Sequence, residues 1–169
     1  QEKWAEYCGC KHALVTNSGT SALHMAVAGA GVLPGDEVIT SAFSFWASAA
    51  AILHHCAIPV FVDIDPVHYT IDPDKIEAAI TPRTTAIMPV HIHGMPANLG
   101  PILEIAEKHD LKVIGDACQA HGATVDGKRV GSIEFTTGFS TNRSKTLSPG
   151  IVEMFPACDS AVYSYIQQM

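Results

Sequence analysis

Three stretches place chemistry-bearing side chains directly after short apolar runs. The first is "TNSGTSALHMA" (16–26), where Asn, Ser, Gly and Thr sit between a strand-like run and a helix-like one. Free N–H groups and the helix dipole at such a start favour an anion, and the hydroxyls of Thr20 and Ser21 could add donors. An ordinary helix capped by Ser18 or Thr20 explains the same residues. The second is "KVIGDACQAHGA" (112–123), in which Asp116 ends an apolar strand and Gln119 follows three residues later. A carboxylate placed there has little water and needs a partner, for which a cationic heterocycle nitrogen would serve. A local helix-capping role for Asp116 is the plainer alternative. The third is "GFSTNRSKTLSPG" (138–150), with Lys145 in a run of Ser, Thr and Asn. A lysine there is either a solvated charge or, with a depressed pKa or a carbonyl partner, a Schiff-base nucleophile.

The elements that must carry these residues alternate. Strands are predicted at 13–16, 37–40, 59–63, 86–90 and 112–114. Helices are predicted at 22–30, 45–54, 72–80 and 101–109, with one ending over 4–7 before Gly9. Asp72 and Pro73 mark a helix start as N-cap and first helical residue. Polar strands are expected at 124–128 and 135–140, then a strand and short helix in 151–169. Strand–helix alternation predicts an α/β fold, with a mainly parallel sheet of about seven strands under helices on both faces. The runs "PVFVD", "AIMPV" and "KVIGD" are continuously apolar, as doubly covered strands should be. Open sheets of this kind take ligands at the carboxyl ends of their strands, where all three stretches fall.

Composition sets outer limits. The chain has 169 residues, 47% hydrophobic and 16% charged, with a net charge of -7. That size suits one domain with a substantial core. The acidic balance argues against nucleic acid as a partner, because counterion release needs clustered Lys and Arg. No segment reaches the roughly 18 apolar residues of a membrane span. The opening QEKWAEYCGC has no apolar leader core; Cys8 and Cys10 stand too close for an easy disulfide with each other, and Cys56, Cys118 and Cys158 lie isolated in apolar surroundings, which suggests reduced thiols. A cytoplasmic location is expected. His91 and His93 alternate in a predicted strand and could face one side, but no third ligand has supporting spacing for zinc. Ser18, His121 and Asp116 could imitate a hydrolase triad, yet the G-x-S-x-G elbow is absent.

Taken together, the stretches resemble the DegT/DnrJ/EryC1/StrS sugar aminotransferases, pyridoxal-phosphate enzymes of the aspartate aminotransferase fold. The resemblance runs from Trp4 to Leu147. It is carried in order by "KHALVTNSGTSALHMA", "PGDEVITSAFSFWASAAAIL", "PVFVDIDPVHYTIDPDKIEAAITPRTTAIMPVHIHGMPANLGPI", "KVIGDACQAHGA" and "FSTNRSKTL". It implies a three-layer α/β large domain spanning 1–169, with the family's N-terminal segment and small C-terminal domain lying outside it. It also implies pyridoxal 5'-phosphate as cofactor, a nucleotide-linked keto-sugar as acceptor, L-glutamate as donor and a homodimer whose partner subunit completes the cofactor site.

By the same resemblance Lys145 is the Schiff-base lysine. Asp116 pairs with the pyridine nitrogen, and Gln119 lies beside the phenolic oxygen. Phe45 stacks on the ring. Thr20, Ser21 and Ser140 hold the phosphate, with Gly19 keeping the turn tight. A sugar-dehydrating branch of the family carries histidine in place of the lysine, so Lys145 favours amino transfer. After Leu147 the pattern departs. The family continues with a G-E-G-G segment, whereas this chain has "SPGIVEMFPACD", in which Gly150 alone fits. The diverged region is expected to cover 150–169. The alternative expectation is a diverged relative that binds cofactor or a partner without turnover, and a further one is a doubly wound nucleotide-binding module with no Schiff base.

Overall fold

The computed structural model describes residues 1–142, 145 and 153–168. In chain order the elements are α1 (Glu2–Cys8), β1 (His12–Thr16), α2 (Gly19–Gly29), β2 (Glu37–Ser41), α3 (Ala47–His54) and β3 (Ile58–Val62). There follow β4 (Thr84–Met88), α4 (Leu99–Lys108), β5 (Lys112–Asp116), β6 (Thr124–Val125) and β7 (Lys128–Arg129). Last come β8 (Thr136–Gly138), β9 (Glu153–Ala157) and α5 (Ser160–Ile166). The start of the departure from the family pattern, from Ser148 to Val152, lies outside the described residues.

Seven strands form one sheet in the order β1-β9-β8-β5-β4-β2-β3. The run β8-β5-β4-β2-β3 is parallel, and β9 lies antiparallel between β1 and β8. Alternation along each strand builds the three layers. Val38, Ala86, Met88 and Ile114 face a core shared with Ala22, Ala26 and Val27 of α2 and Val162 and Ile166 of α5. Their neighbours Ile39, Ile87 and Val113 face the opposite core, with Ile102 and Ala106 of α4 and Ile71 and Ile76. The expected mainly parallel α/β sheet is therefore the observed one. A third cluster packs Trp4, Ala5 and Cys8 of α1 against Ala117, Ala120, Val130 and Phe139.

Several elements differ from expectation. The strand "PVFVD" is not covered on both faces: β3 is an edge strand, with Ile58 and Phe61 exposed. The expected helix over 72–80 is two 3-10 turns, at Pro73–Lys75 and Glu77–Ala79, joined by i→i+3 bonds such as Ala79 N–H to Ile76 O at 2.9 Å. Asp72 does cap this start, accepting from the Asp74 N–H. The predicted polar strand at 124–128 is a separate hairpin, β6–β7, turned by Asp126 and Gly127, both at positive φ. Helix α3 begins at Ala47, and the Ser48 N–H donates to the Phe45 carbonyl at 3.1 Å, which leaves Phe45 on the preceding turn.

The thiols are not all reduced. Pairing of His12 with Ala157 brings Cys10 and Cys158 to a Cα–Cα distance of 4.6 Å, and they form a disulfide. A sequence separation of 148 hid that neighbourhood. No helix among the described residues is long and apolar enough to cross a membrane.

Candidate active site

The site lies at the carboxyl ends of β1, β5 and β8. Helix α2 starts immediately after β1, and its N-cap is Ser18, whose Oγ accepts from the Ser21 N–H at 3.1 Å. The Ser21 hydroxyl donates to Asn17 Oδ1 at 2.8 Å. The N–H groups of Gly19 and Thr20 at the helix start have no partner within the helix ladder, as the geometry of any helix start requires. Across from them stands Ser140, two residues beyond β8. A Cβ added to Gly19 would lie 2.8 Å from Ser140 Cβ and 3.1 Å from its Oγ. Gly19 therefore lets the helix start and the β8 end approach to form one cradle, with Thr20 and Ser21 on one wall and Ser140 on the other.

Asp116 is the last residue of β5 and is 4% exposed. Its Oδ2 accepts from the Ser48 hydroxyl at 2.6 Å, and Oδ1 accepts from the Cys118 N–H at 3.1 Å. The Ser44 and Ser48 hydroxyls are 2.6 Å apart, so Ser44 donates to Ser48 while Ser48 donates onward to the carboxylate. Neither oxygen meets a cationic side chain among the described residues. A buried carboxylate with only neutral donors is poised for a cationic partner.

Lys145 Nζ stands 5.9 Å from the centre of the Phe45 ring, and the Lys145 N–H is fixed on the Asn142 carbonyl at 2.8 Å. Phe45 is 56% exposed and presents an open aromatic face. Gln119 Oε1 accepts from the His93 N–H at 3.3 Å, which leaves the amide NH2 of Gln119 to donate elsewhere. His93 reaches it with a left-handed backbone, φ 53. His121 lies behind the site, edge-on to Trp4 and tilted against Phe139. Both its ring nitrogens are buried without a well-formed hydrogen bond. Burial holds this imidazole below the ordinary histidine value and the Lys145 charge adds to that, while the Ser140 backbone pulls the other way.

Of the residues singled out from sequence, the structure brings Gly19 against Ser140 and Lys145 over Phe45, while Asp116 bonds Ser48 and Cys118 and Gln119 bonds His93. Ser48 ties Phe45 to Asp116, since its N–H donates to the Phe45 carbonyl and its hydroxyl to Asp116. It escaped sequence reasoning, although a lone serine in an Ala-rich apolar helix was a signal. The hydrolase-like set does not assemble: Ser18 caps α2 and Asp116 bonds Ser48. Nor do the two histidines of 91–93 share a face. His91 is buried on Glu134, and His93 is exposed.

The residues present fit pyridoxal phosphate. The Gly19–Ser140 cradle suits a phosphate, Phe45 offers an aromatic face, and Asp116 supplies a buried anion to a ring nitrogen. The fold is that of solved aminotransferases, one of them with bound cofactor PMP. A profile of the DegT/DnrJ/EryC1/StrS aminotransferase family matches residues 1–167, and the chain belongs to that family, whose cofactor is pyridoxal phosphate. GDP-perosamine synthase of Caulobacter vibrioides is 47% identical over 150 residues, which is 89% of this chain and 40% of that protein. The aminotransferase from Psychrobacter cryohalolentis superposes with a TM-score of 0.96 at 34% identity, covering 99% of this chain and 42% of the other. NtdA from Bacillus subtilis with bound cofactor PMP gives a TM-score of 0.91 at 36% identity, covering 98% and 37%. The chain thus spans less than half the length of each of these relatives.

Proposed function

We propose that the protein transfers an amino group from L-glutamate to the keto group of a nucleotide-linked sugar, with these residues forming its cofactor-binding large domain. The observation that carries this reading is the buried Asp116 carboxylate at the carboxyl end of β5, which meets no cationic side chain among the described residues. The relationship to GDP-perosamine synthase supports a nucleotide-linked substrate.

In this reading the α2 start, Thr20, Ser21 and Ser140 bind the phosphate through N–H and O–H donors. Asp116 holds the proton on the pyridine nitrogen, and the Ser44–Ser48 relay orients its carboxylate. Gln119 donates to the phenolic oxygen, and Phe45 covers one ring face. Bound pyridoxal phosphate supplies an electron sink for the carbon that gains or loses nitrogen. Lys145 Nζ would hold the cofactor and would move a proton on and off the reacting carbon as base and acid. The exposed aromatics Phe43, Trp46 and Tyr69 beside the site support a homodimer in which a second subunit covers them.

The test is an absorbance titration. Added pyridoxal phosphate should give a visible band that Lys145→Ala abolishes, and L-glutamate should convert that band. No band in the unsubstituted protein would sink the reading. A band indifferent to glutamate and to other amino donors would favour a cofactor-binding relative without turnover.

A further inference from the structure

Beneath the site two buried side chains form a pair. His91 Nε2 donates to Glu134 Oε1 across 2.7 Å, with both side chains wholly removed from solvent. The Ala97 N–H donates to His91 Nδ1 at 3.0 Å, so that nitrogen carries no proton and the ring is neutral with its hydrogen on Nε2. Glu134 must therefore accept at Oε1. Its other oxygen accepts from the Gly131 N–H at 2.8 Å and faces the Thr137 hydroxyl at 3.5 Å. Burial pushes the Glu134 carboxyl up, but the bonds from His91 and Gly131 outweigh it and hold it below its ordinary value. A buried ion of this kind is costly unless every donor is in place, so its presence calls for a structural reason.

The backbone of Asp116 supplies one. The regular β4–β5 ladder covers only Ala86 with Lys112 and Ile87 with Val113. Beyond it Asp116 is held to the β4 side by a single bridge to Val90, made of the His91 N–H to Asp116 O at 2.9 Å and the Asp116 N–H to Pro89 O at 3.0 Å. The residue that donates in this bridge is the one whose side chain Glu134 grips. From the other flank Glu134 Cδ lies 3.1 Å from where a Cβ on Gly115 would stand, so the carboxylate packs directly against the residue preceding Asp116.

We propose that Glu134 and His91 are positioning residues, which fix the backbone of Asp116 and so aim its carboxylate at the cofactor. This rests on the reading that Asp116 serves pyridoxal phosphate. Glutamine at 134 cannot replace the carboxylate, since its two ends would offer one acceptor and one donor to a site that presents donors on both sides.

The experiment measures equilibrium affinity for pyridoxal phosphate, and the thermal midpoint without it, for the full chain carrying E134Q, D116N and both. E134Q should weaken affinity about tenfold alone and add nothing in the D116N background, because its effect passes through Asp116. H91Q keeps an acceptor for Ala97 and a donor for Glu134, and should retain affinity within about threefold. If E134Q does not fold, E134D enters the same cycle and should show the same dependence on Asp116. An E134Q protein with a lowered midpoint but unchanged affinity, or with equal losses in both backgrounds, would overturn the proposal. An unsubstituted protein that binds no pyridoxal phosphate would instead overturn the cofactor reading, and this inference with it.

Discussion

The hydroxyl of Ser48 donates to Asp116 Oδ2 across 2.6 Å, and both side chains are buried. One residue of a helix thus governs the charge at the end of a strand 68 positions away. Ser48→Ala removes a donor from a buried carboxylate, a change that costs about 1–3 kcal/mol. The thermal midpoint should fall by several degrees and pyridoxal phosphate should bind more weakly. Unchanged affinity by titration would contradict the relay.

Gly19 and Gly100 give opposite outcomes on the same substitution. Gly19→Ala drives a methyl to within 2.8 Å of Ser140 Cβ, which closes the cradle and costs about 1–3 kcal/mol of overpacking. Gly100→Ala, in the first turn of α4, meets nothing within 4 Å and should stabilise by up to about 1 kcal/mol. Denaturant midpoints of the two variants check both signs.

Thiol chemistry should be selective. Burial pushes the Cys8 thiol up to about 12, against a weaker opposing pull from Arg129, so it stays protonated and inert in the folded protein. Cys56 is exposed. A thiol reagent near pH 8 should give a fast phase that Cys56→Ser removes, while Cys8 reacts only on unfolding. Rapid labelling of Cys8 in the native state would refute its burial.

Stability should decline in mild acid. Burial, with the nearby His55 and His54, holds His24 below its ordinary 6.5. As pH falls, the unfolded chain then takes up the proton first, so stability present above about pH 6.5 is lost toward the lowered folded value. His121 contributes in the same direction. His24→Gln should flatten part of the fall in thermal midpoint between pH 7 and pH 5 (roughly, from the ordinary histidine value). An unchanged profile would show that His24 is not a source of it.

The sheet was legible because its central strands carry runs that alternate between two cores, as Val38 and Ile39 do. The 72–80 segment was not, because the same Asp-Pro start opens an α-helix or a 3-10 turn, and only packing of Ile71 and Ile76 decides between them. Among candidate site residues, Gly19, Asp116 and Lys145 stood out by their positions after strands. The pairings of Ser48 with Asp116 and of His91 with Glu134 did not, because the partners lie more than 40 residues apart in sequence. Local patterns do not report such pairings.

The Cys10–Cys158 bond has a topological result. It closes the chain between those two cysteines into a circle, and the candidate site residues from Gly19 to Lys145 all lie within that circle. One cut at the Asp126–Gly127 turn would open the circle and leave two pieces held together by the disulfide. The nicked protein would migrate as one species on a non-reducing gel and separate into two only after reduction.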